Sequence, residues 1–303
     1  MKTFQEICMM KQREVKDYMK KYLAAKQYDV ISEDGFLYAK GEVPVLLVAH
    51  MDTVHEVPCV EFTKVGNRIT SPQGIGGDDR CGIFIIANIL KDLKCSVLLC
   101  EDEEVGCLGA KKFADSEYIK DLGVNYMIEF DRHGSDDAVF YSCDNQDFTE
   151  FVIENTGFKE ALGTFSDIAV LMPASKLCGV NLSSGYYWEH TKDEYVMYNE
   201  MMSTMDTAKF LIATECPEPF KYKARTYNYN YNTPSLPPSN DSNKINRRAK
   251  NDLLLELEVV IITAYGDEEV LYGTGTTKAE CWLDIFSSYT SVCFDNVIDY
   301  NFS

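Results

Sequence analysis

The sequence predicts an α/β fold, a three-layer sandwich in which helices cover both faces of a largely parallel mixed sheet. Apolar runs typical of strands alternate along the chain with helical patterns, and this alternation is typical of sheets built from parallel strands. Several of the runs are apolar without interruption, as expected for strands buried on both faces. These observations favour one large domain, followed by a small C-terminal α+β module.

The N-terminal part of the chain supplies one helix and several strands. Residues 3–24 carry apolar side chains at helical spacing with charged residues between them, which predicts an amphipathic helix. Strands are predicted at 28–31, 35–39 and 43–49, the first two joined by a turn. Two further short strands flank Gly66-Asn67.

The middle of the chain continues the alternation of strands and helices. A helix is expected to follow Gly109 and to end near Asp115, and Ser166 or Asp167 is expected to cap a helix that begins at residue 167. The remaining predicted strands lie at 96–100, 126–130, 138–143 and 178–182, and the remaining predicted helices at 83–90, 145–155, 167–172 and 198–214.

Four of the apolar runs end in, or lead into, residues that can bind a metal ion. The run at 44–49 ends in His50 and Asp52, whose spacing places both side chains on one side of an extended chain. Because ligands bind beyond the carboxyl ends of parallel strands, we expect the polar residues of all four runs to meet at one edge of the sheet. His50 is thus a candidate metal ligand, and Asp52 its orienting partner. The other three runs lead to Glu103 and Glu104, to Asp131 and to His190.

A glycine-rich loop at 74–82 precedes the helix at 83–90. Its glycines lack the spacing of a phosphate-binding loop, and Asp78 and Asp79 would repel a phosphate. Paired carboxylates suit a metal ion better, although acidic residues at the start of a helix also serve as caps. The sequence of the loop alone leaves both interpretations open.

Charge and cysteine usage restrict the class of protein. The chain has 48 acidic and 29 basic residues and a net charge of −19, which disfavours nucleic acid as a partner and favours binding of divalent cations. Its 11 cysteines are odd in number and several lie inside apolar runs, as reduced thiols do in the cytosol. The first twenty residues carry charges throughout, so we expect neither a signal peptide nor a membrane partner.

The composition changes near residue 221 and divides the chain into three parts. Residues 1–220 form the predicted large domain, 221–250 a linker rich in Tyr, Asn, Pro and basic residues, and 251–303 a small module of unknown role. The module is predicted to contain a hairpin at 252–264 and 268–273, a helix at 276–290 and a strand at 292–302, and it is a candidate for oligomer formation. Tyrosines alternating with basic residues could bind single-stranded nucleic acid, but a solvated spacer is the prediction.

The polar clusters resemble, motif by motif, those of the co-catalytic di-zinc exopeptidases, the superfamily that includes peptidase T and the single-domain zinc aminopeptidases. The resemblance covers residues 40–200. Too few residues separate Asp131 from His190 for the lid or dimerisation domain of the peptidase T-like branch, which leaves the architecture of a single-domain aminopeptidase. The matching motifs are His50-Met-Asp-Thr-Val54, Gly77-Asp-Asp-Arg-Cys-Gly82, Asp102-Glu-Glu-Val-Gly106 and His190-Thr-Lys-Asp-Glu-Tyr195.

The resemblance implies two divalent metal ions, zinc in the first place with cobalt or manganese as alternatives. It implies that Asp78 bridges the ions, that His50 and Asp131 complete one site, and that Glu104 and His190 complete the other. Two zinc ions held about 3.5–4 Å apart by histidine and carboxylate ligands can share a hydroxide and polarise a carbonyl. It also implies a cis peptide bond between Asp78 and Asp79.

Further roles follow from the same resemblance. Glu103 would be the general base that deprotonates the attacking water, and Asp52 would hold His50 in one tautomer. His55 and His133 match no ligand motif. In the absence of a lid domain, Tyr186, Tyr187 and His133 are the weak candidates for binding the substrate or its oxyanion, and packing is the alternative role for each.

The predicted function is hydrolysis of the peptide bond in small peptides, of the aminopeptidase or dipeptidase type. A related deacylase or carboxypeptidase acting on another small amide is one alternative. A non-catalytic interaction protein built on the same fold is another, but a binding protein has no reason to keep Glu103. Aminoacyl and N-acyl substrates would separate these functions.

Overall fold

The computed structural model describes residues 1–55 and 57–225 in full, and the backbone of three strands at 255–262, 268–275 and 297–302. The chain divides into two units, Met1–Thr226 and Tyr227–Ser303. In the first unit the elements are, in chain order, α1 (Phe4–Cys8), α2 (Gln12–Ala25), β1 (Val30–Glu33), β2 (Phe36–Ala39), β3 (Val43–His50), β4 (Thr63–Val65), β5 (Arg68–Thr70), α3 (Gly77–Ile89), β6 (Cys95–Cys100), α4 (Leu108–Asp115), a short 3₁₀ helix (Tyr118–Asp121), β7 (Tyr126–Arg132), β8 (Asp137–Val139), α5 (Gln146–Thr156), β9 (Lys159–Ala161), α6 (Asp167–Ser175), β10 (Gly179–Ser183), β11 (Tyr186–Tyr187), β12 (Tyr195–Met197) and α7 (Tyr198–Ala213).

The main sheet has eight strands in the order β1-β2-β6-β3-β7-β10-β8-β9. Its four central strands, β6, β3, β7 and β10, are mutually parallel, whereas β1, β2 and β8 join by antiparallel pairing. The predicted α/β class and the largely parallel mixed sheet are thereby confirmed. A second, antiparallel sheet, β11-β12-β5-β4, was not predicted.

Helices enclose the central strands in two groups. Helices α1 and α7 contact α3, which packs on β3 and β7, whereas α4 contacts α6, which packs on β3, β7 and β10. Every residue of α3 is buried, and the central part of β3 and all of β6 are buried as well. The uninterrupted apolar runs therefore correspond to strands covered on both faces.

The first predicted helix is wrong in one respect, because two helices replace it. Helix α1 ends at Cys8 and α2 begins at Gln12. The backbone N–H of Lys11 donates to Glu14 Oε2 at 2.9 Å, and Arg80 Nη2 donates to the carbonyl of Met10 at 3.0 Å. These bonds satisfy backbone groups at the break that a continuous helix would have paired internally.

Two other predicted boundaries in the first unit differ from the structure by four residues or more. Helix α3 begins at Gly77, six residues before the predicted start. Strand β8 ends at Val139, where the prediction continued to residue 143, because the chain turns there with the N–H of Cys143 donating to the carbonyl of Phe140. Both differences arise where turns break the apolar periodicity.

The second unit contains an antiparallel sheet in which 255–262 pairs with 268–275 and with 297–302. The hairpin and the last strand match the prediction, whereas the helix predicted at 276–290 lies outside the described residues. Lys221 and Ala224, at the start of the predicted linker, form bridges with Leu177 and Cys143 of the first unit. None of the described helices has the length and apolarity needed to span a membrane.

Candidate active site

The carboxyl ends of the central strands carry the predicted polar residues to one edge of the main sheet. His50 ends β3 directly beside Cys100, the last residue of β6, so the segment with Glu103 and Glu104 starts next to it. Asp131 lies near the end of β7, on the other side of β3. His190 comes from the segment between β11 and β12. The expected convergence of these residues is what the fold produces.

Asp78 lies between the two histidines and presents one carboxylate oxygen to each. Its Oδ1 is 2.9 Å from His50 Nε2, and its Oδ2 is 3.2 Å from His190 Nε2. Asp131 Oδ1 lies 3.4 Å from the same atom of His50, and Glu104 Oε2 lies 3.0 Å from the same atom of His190. The five residues thus form two clusters that share Asp78.

The donor atoms of both clusters fit divalent cations. Each cluster offers one imidazole nitrogen and two carboxylates, which are ligands that zinc accepts. Glu104 Oε1 is buried without any hydrogen-bond partner, although buried carboxylate oxygens are normally paired or bound to an ion. Burial raises the pKa of Asp131 to about 7, and the neighbouring charge of Asp78 adds to this effect. Bound cations would relieve the repulsion among these carboxylates.

Asp52 makes the contacts expected of an orienting residue. His50 Nδ1 donates to Asp52 Oδ1 over 3.2 Å, which leaves Nε2 to face Asp78. The backbone N–H groups of Glu103 and Glu104 donate to the two oxygens of Asp52, each over 3.0 Å. Burial raises the pKa of Asp52, but these bonds outweigh burial and hold the pKa below its usual value. Asp52 therefore fixes both the histidine and the following acidic turn.

Glu103 lies beside the clusters without joining either of them. Its Oε1 accepts a hydrogen bond from the Cys107 thiol over 3.2 Å. Burial raises the pKa of Glu103 to about 8, with His50 opposing the shift and Asp131 and Asp78 adding to it. A carboxylate that has a raised pKa and does not belong to either cluster has the properties of a proton acceptor.

The sequence of the glycine-rich loop left metal binding and helix capping open for Asp78 and Asp79, and the structure gives the two residues different surroundings. The peptide bond between Asp78 and Asp79 is cis, which confirms that prediction. Asp78 faces the histidines, whereas Asp79 is fully buried and accepts hydrogen bonds from the backbone N–H groups of His50 at 3.2 Å and Gly82 at 2.8 Å. Asp78 thus lies between the two histidines, and Asp79 accepts backbone N–H groups as a capping residue does, although its carboxylate also lies within 4.8 Å of ligand atoms of His50 and Asp131.

Glu194 is a site residue that the sequence reasoning missed. Its side chain is 1% exposed and accepts the backbone N–H of Gly76 at 2.8 Å and of Asp78 at 3.0 Å. His55 Nε2 lies 3.0 Å from the same carboxylate. Glu194 therefore ties the segment that carries His190 to the loop that carries Asp78. Its position inside the His190 motif was the available signal.

A buried polar network behind Asp131 was missed as well. Asn181 Oδ1 accepts the backbone N–H of Asp131, and Asn181 Nδ2 donates to its carbonyl, both over 2.8 Å. Ser166 Oγ contacts the carboxylates of Asp131 and of the fully buried Glu129. A glutamate inside the apolar run at 126–130 was the signal for this network, because charged residues are rarely buried without partners.

The three candidates for oxyanion binding have different surroundings. The hydroxyl of Tyr186 donates to Asp131 Oδ1 over 3.3 Å, which places it at the clusters. The hydroxyl of Tyr187 donates to Glu200 over 2.6 Å, and its ring stacks on Tyr195. His133 Nδ1 lies 2.7 Å from Glu189 Oε1. Among the three, Tyr186 has a contact with the metal-site candidates in the structure.

A cavity of about 530 Å³ adjoins the clusters. Asp52 and Glu104 form part of its wall, and Val54 and Val105 lie at its lining with 41% and 68% of their surface exposed. Its size suits one or two amino-acid residues, since sites for small ligands span about 300–1,000 Å³. The cavity gives a small peptide a place beside the acidic turn.

Comparisons with known proteins concern the family and the fold of the chain. The sequence model described as peptidase family M28 matches residues 37–235. The fold resembles aminopeptidase PepT from Bacillus cereus (TM-score 0.57, 14% identity, 69% of this chain and 96% of that chain) and a tripeptidase from Staphylococcus aureus (0.58, 13%, 69% and 96%). It also resembles a Zn-dependent exopeptidase from Parabacteroides distasonis (0.52, 13%, 69% and 94%). No curated protein matches the sequence.

Proposed function

The chain belongs to peptidase family M28, because the model of this family matches more than half of the chain. We therefore propose that the protein is an aminopeptidase or dipeptidase that acts on small peptides and uses two zinc ions. The position of Asp78 between two histidines carries the proposal. Metal-dependent peptide hydrolysis follows from the family. The use of two ions and the preference for small peptides are what we propose in addition. The free thiols of all cysteines in residues 1–55 and 57–225 support the cytosol as its compartment.

Five side chains would hold the ions in this proposal. Asp78 would bridge them, with His50 and Asp131 on one side and His190 and Glu104 on the other. When bound, such ions polarise a substrate carbonyl and lower the pKa of water. His190 is half-exposed, whereas His50 is buried, so substrate and water reach the clusters from the side of His190.

The proton transfers fall to Glu103. Its carboxylate takes a proton from the attacking water and returns it to the leaving amine. The backbone N–H of Glu103 is held by Asp52, which also holds His50, so proton acceptor and metal site keep a fixed relation. The hydroxyl of Tyr186, next to Asp131, is the donor best placed to stabilise the developing oxyanion.

The cavity beside Glu104 would receive one end of the peptide. Its volume of about 530 Å³ accommodates a short peptide, which favours small substrates over proteins. Its lining combines the exposed side chains of Val54 and Val105 with charged side chains, among them Lys11 and Asp102.

The test compares two adjacent glutamates. Glu103→Gln removes a proton acceptor and keeps the five ligands of the clusters, so the protein should retain two ions per chain while turnover falls by about 100-fold to 10,000-fold. Glu104→Gln should lower the metal content, because a neutral amide is a poor zinc ligand. Metal per chain and turnover of dipeptides, tripeptides and N-acyl amino acids are measured after identical dialysis against zinc.

Two outcomes contradict the proposal. If Glu103→Gln binds fewer than two ions per chain, or keeps most of its activity, the two roles are wrongly assigned. If the parent protein hydrolyses N-acyl amino acids and leaves peptides intact, the reaction belongs to a deacylase.

A further inference from the structure

Asp167, at the start of α6, is a buried carboxylate without a hydrogen-bond partner. Its side chain has no exposed surface, and both carboxylate oxygens lack a partner in hydrogen-bonding geometry. The clusters around Asp78 do not include Asp167, whereas the buried carboxylates of Asp79, Glu129 and Glu194 all accept hydrogen bonds. An isolated buried charge is strongly unfavourable, so such a group normally binds an ion or takes up a proton.

Two other potential ligands face Asp167. One ligand atom each from Glu103, Cys107 and Asp167 lies within 4.8 Å of the other two. We call these residues the buried trio. The Cys107 thiol already points at Glu103, with 3.2 Å between Sγ and Oε1. Cys107 has no exposed surface, and helices α4 and α6, which begin at Leu108 and Asp167, pack against each other.

The electrostatics of the buried trio favour a cation. Burial raises the pKa of Asp167 to about 7, the charge of Glu103 adds to the shift, and the nearby thiols of Cys100 and Cys107 oppose it. Burial also raises the pKa of the Cys107 thiol well above its usual range, and the charges of Glu103 and Asp167 add to the shift. Burial is thus the main cause that holds Asp167 and Cys107 towards their protonated forms, and a divalent cation would oppose it.

We propose that Glu103, Cys107 and Asp167 form a separate zinc site whose occupation inhibits the peptidase. Zinc accepts one thiolate at about 2.3 Å and carboxylate oxygens at about 2.0–2.2 Å, so ligand atoms less than 5 Å apart can close on one ion with small side-chain movements. Binding displaces the thiol proton to solvent. Cys107 and Asp167 are buried and Glu103 is partly exposed, so the ion enters past Glu103.

The inhibition rests on the proposed function, in which Glu103 accepts the proton of the attacking water. A carboxylate whose lone pairs bind zinc cannot accept that proton. Activity should therefore rise as zinc fills the clusters around Asp78 and fall again as a further ion fills the buried trio. A proton shared between Glu103 and Asp167 is the alternative explanation for the buried carboxylates, and it involves no sulfur ligand.

Cobalt(II) distinguishes these explanations, because a thiolate bound to cobalt gives a charge-transfer absorption in the near ultraviolet. The five residues around Asp78 offer only nitrogen and oxygen. In a titration of the metal-depleted full-length protein, we expect the first two equivalents to give no such absorption and the next equivalent to give it. The absorption should disappear in Cys107→Ser and in Asp167→Asn, and persist in the control Cys216→Ser, whose thiol lies outside the trio.

Each outcome decides the proposal. Loss of the absorption in Cys107→Ser and Asp167→Asn, together with loss of inhibition by excess zinc in either folded variant, supports it. Absence of the absorption in the parent protein, or its persistence in Cys107→Ser, overturns it. If the absorption appears with the first equivalent, the buried trio binds metal before the clusters around Asp78 do, and the proposed inhibition by a further ion is overturned. Circular dichroism identifies a variant that does not fold, and the other variant then decides.

Discussion

Glu194 connects the two segments that supply the central ligands, and its replacement by glutamine tests that connection. The carboxylate accepts hydrogen bonds from the backbone of Gly76 and Asp78 and contacts His55, with 1% of the residue exposed. Burial raises the pKa of Glu194, and the bonds from His55 and the Asp78 amide oppose the shift. Glu194→Gln keeps the size of the side chain and replaces one acceptor oxygen by a donor.

The size of the effect follows from these contacts. Whichever way the glutamine amide is turned, its NH₂ group faces the N–H of either Gly76 or Asp78, and that N–H loses its acceptor. A buried N–H without an acceptor costs about 1–3 kcal/mol, and loss of the charge weakens the remaining bond by roughly 1 kcal/mol. We therefore expect the free energy of unfolding to fall by about 2–4 kcal/mol.

Metal binding should weaken together with stability, because the N–H in question belongs to Asp78 or lies two residues before it. If about 2 kcal/mol of the effect acts on the position of Asp78, metal affinity falls about 30-fold. Urea unfolding and competition with a coloured chelator measure the two quantities. Asp193→Asn is the control, since Asp193 is exposed and its replacement should change stability by less than about 0.5 kcal/mol. Unchanged unfolding and unchanged metal affinity in Glu194→Gln would refute the reasoning.

Two further predictions concern the C-terminal part and the metal. Deleting residues 226–303 should leave metal binding and turnover largely intact. Deleting 221–303 should in addition lower the stability measured by urea unfolding, because the carbonyls of Lys221 and Lys223 accept hydrogen bonds from Asn145 and Asp144 over 2.8 and 2.7 Å. Equal stability of the two truncated proteins would contradict this. Removal of metal with a chelator should lower the thermal unfolding midpoint, since an ion present at 100 times its Kd stabilises the folded protein by about 2.7 kcal/mol. Calorimetry with and without added zinc measures the shift, and an unchanged midpoint would count against a metal site in the folded chain.

The sequence predicted the α/β class because the information for it is local. Uninterrupted apolar runs such as 96–100 are typical of strands covered on both faces, and the polar residues that follow them mark the edge where ligands bind. His50 and Asp52 come directly after the run at 44–49, and Glu103 and Glu104 come soon after the run at 96–100, so both pairs lie at that edge. The prediction of one helix over 3–24 was wrong because the chain breaks near Met10. There Arg80 donates a hydrogen bond to the Met10 carbonyl, and the local pattern does not reveal this distant partner.

The motifs by themselves predicted the candidate metal ligands, because His50, Glu104 and Asp131 end or follow buried strands, and Asp78 and His190 lie in motifs that resemble those of a known family. Only the tertiary structure decided that Asp167 is buried without a partner and that Glu194 accepts the backbone N–H of Gly76. Gly76 and Glu194 are 118 positions apart in the chain. A hydrogen bond across that distance depends on how β12, β5 and α3 pack, and no local periodicity encodes such packing.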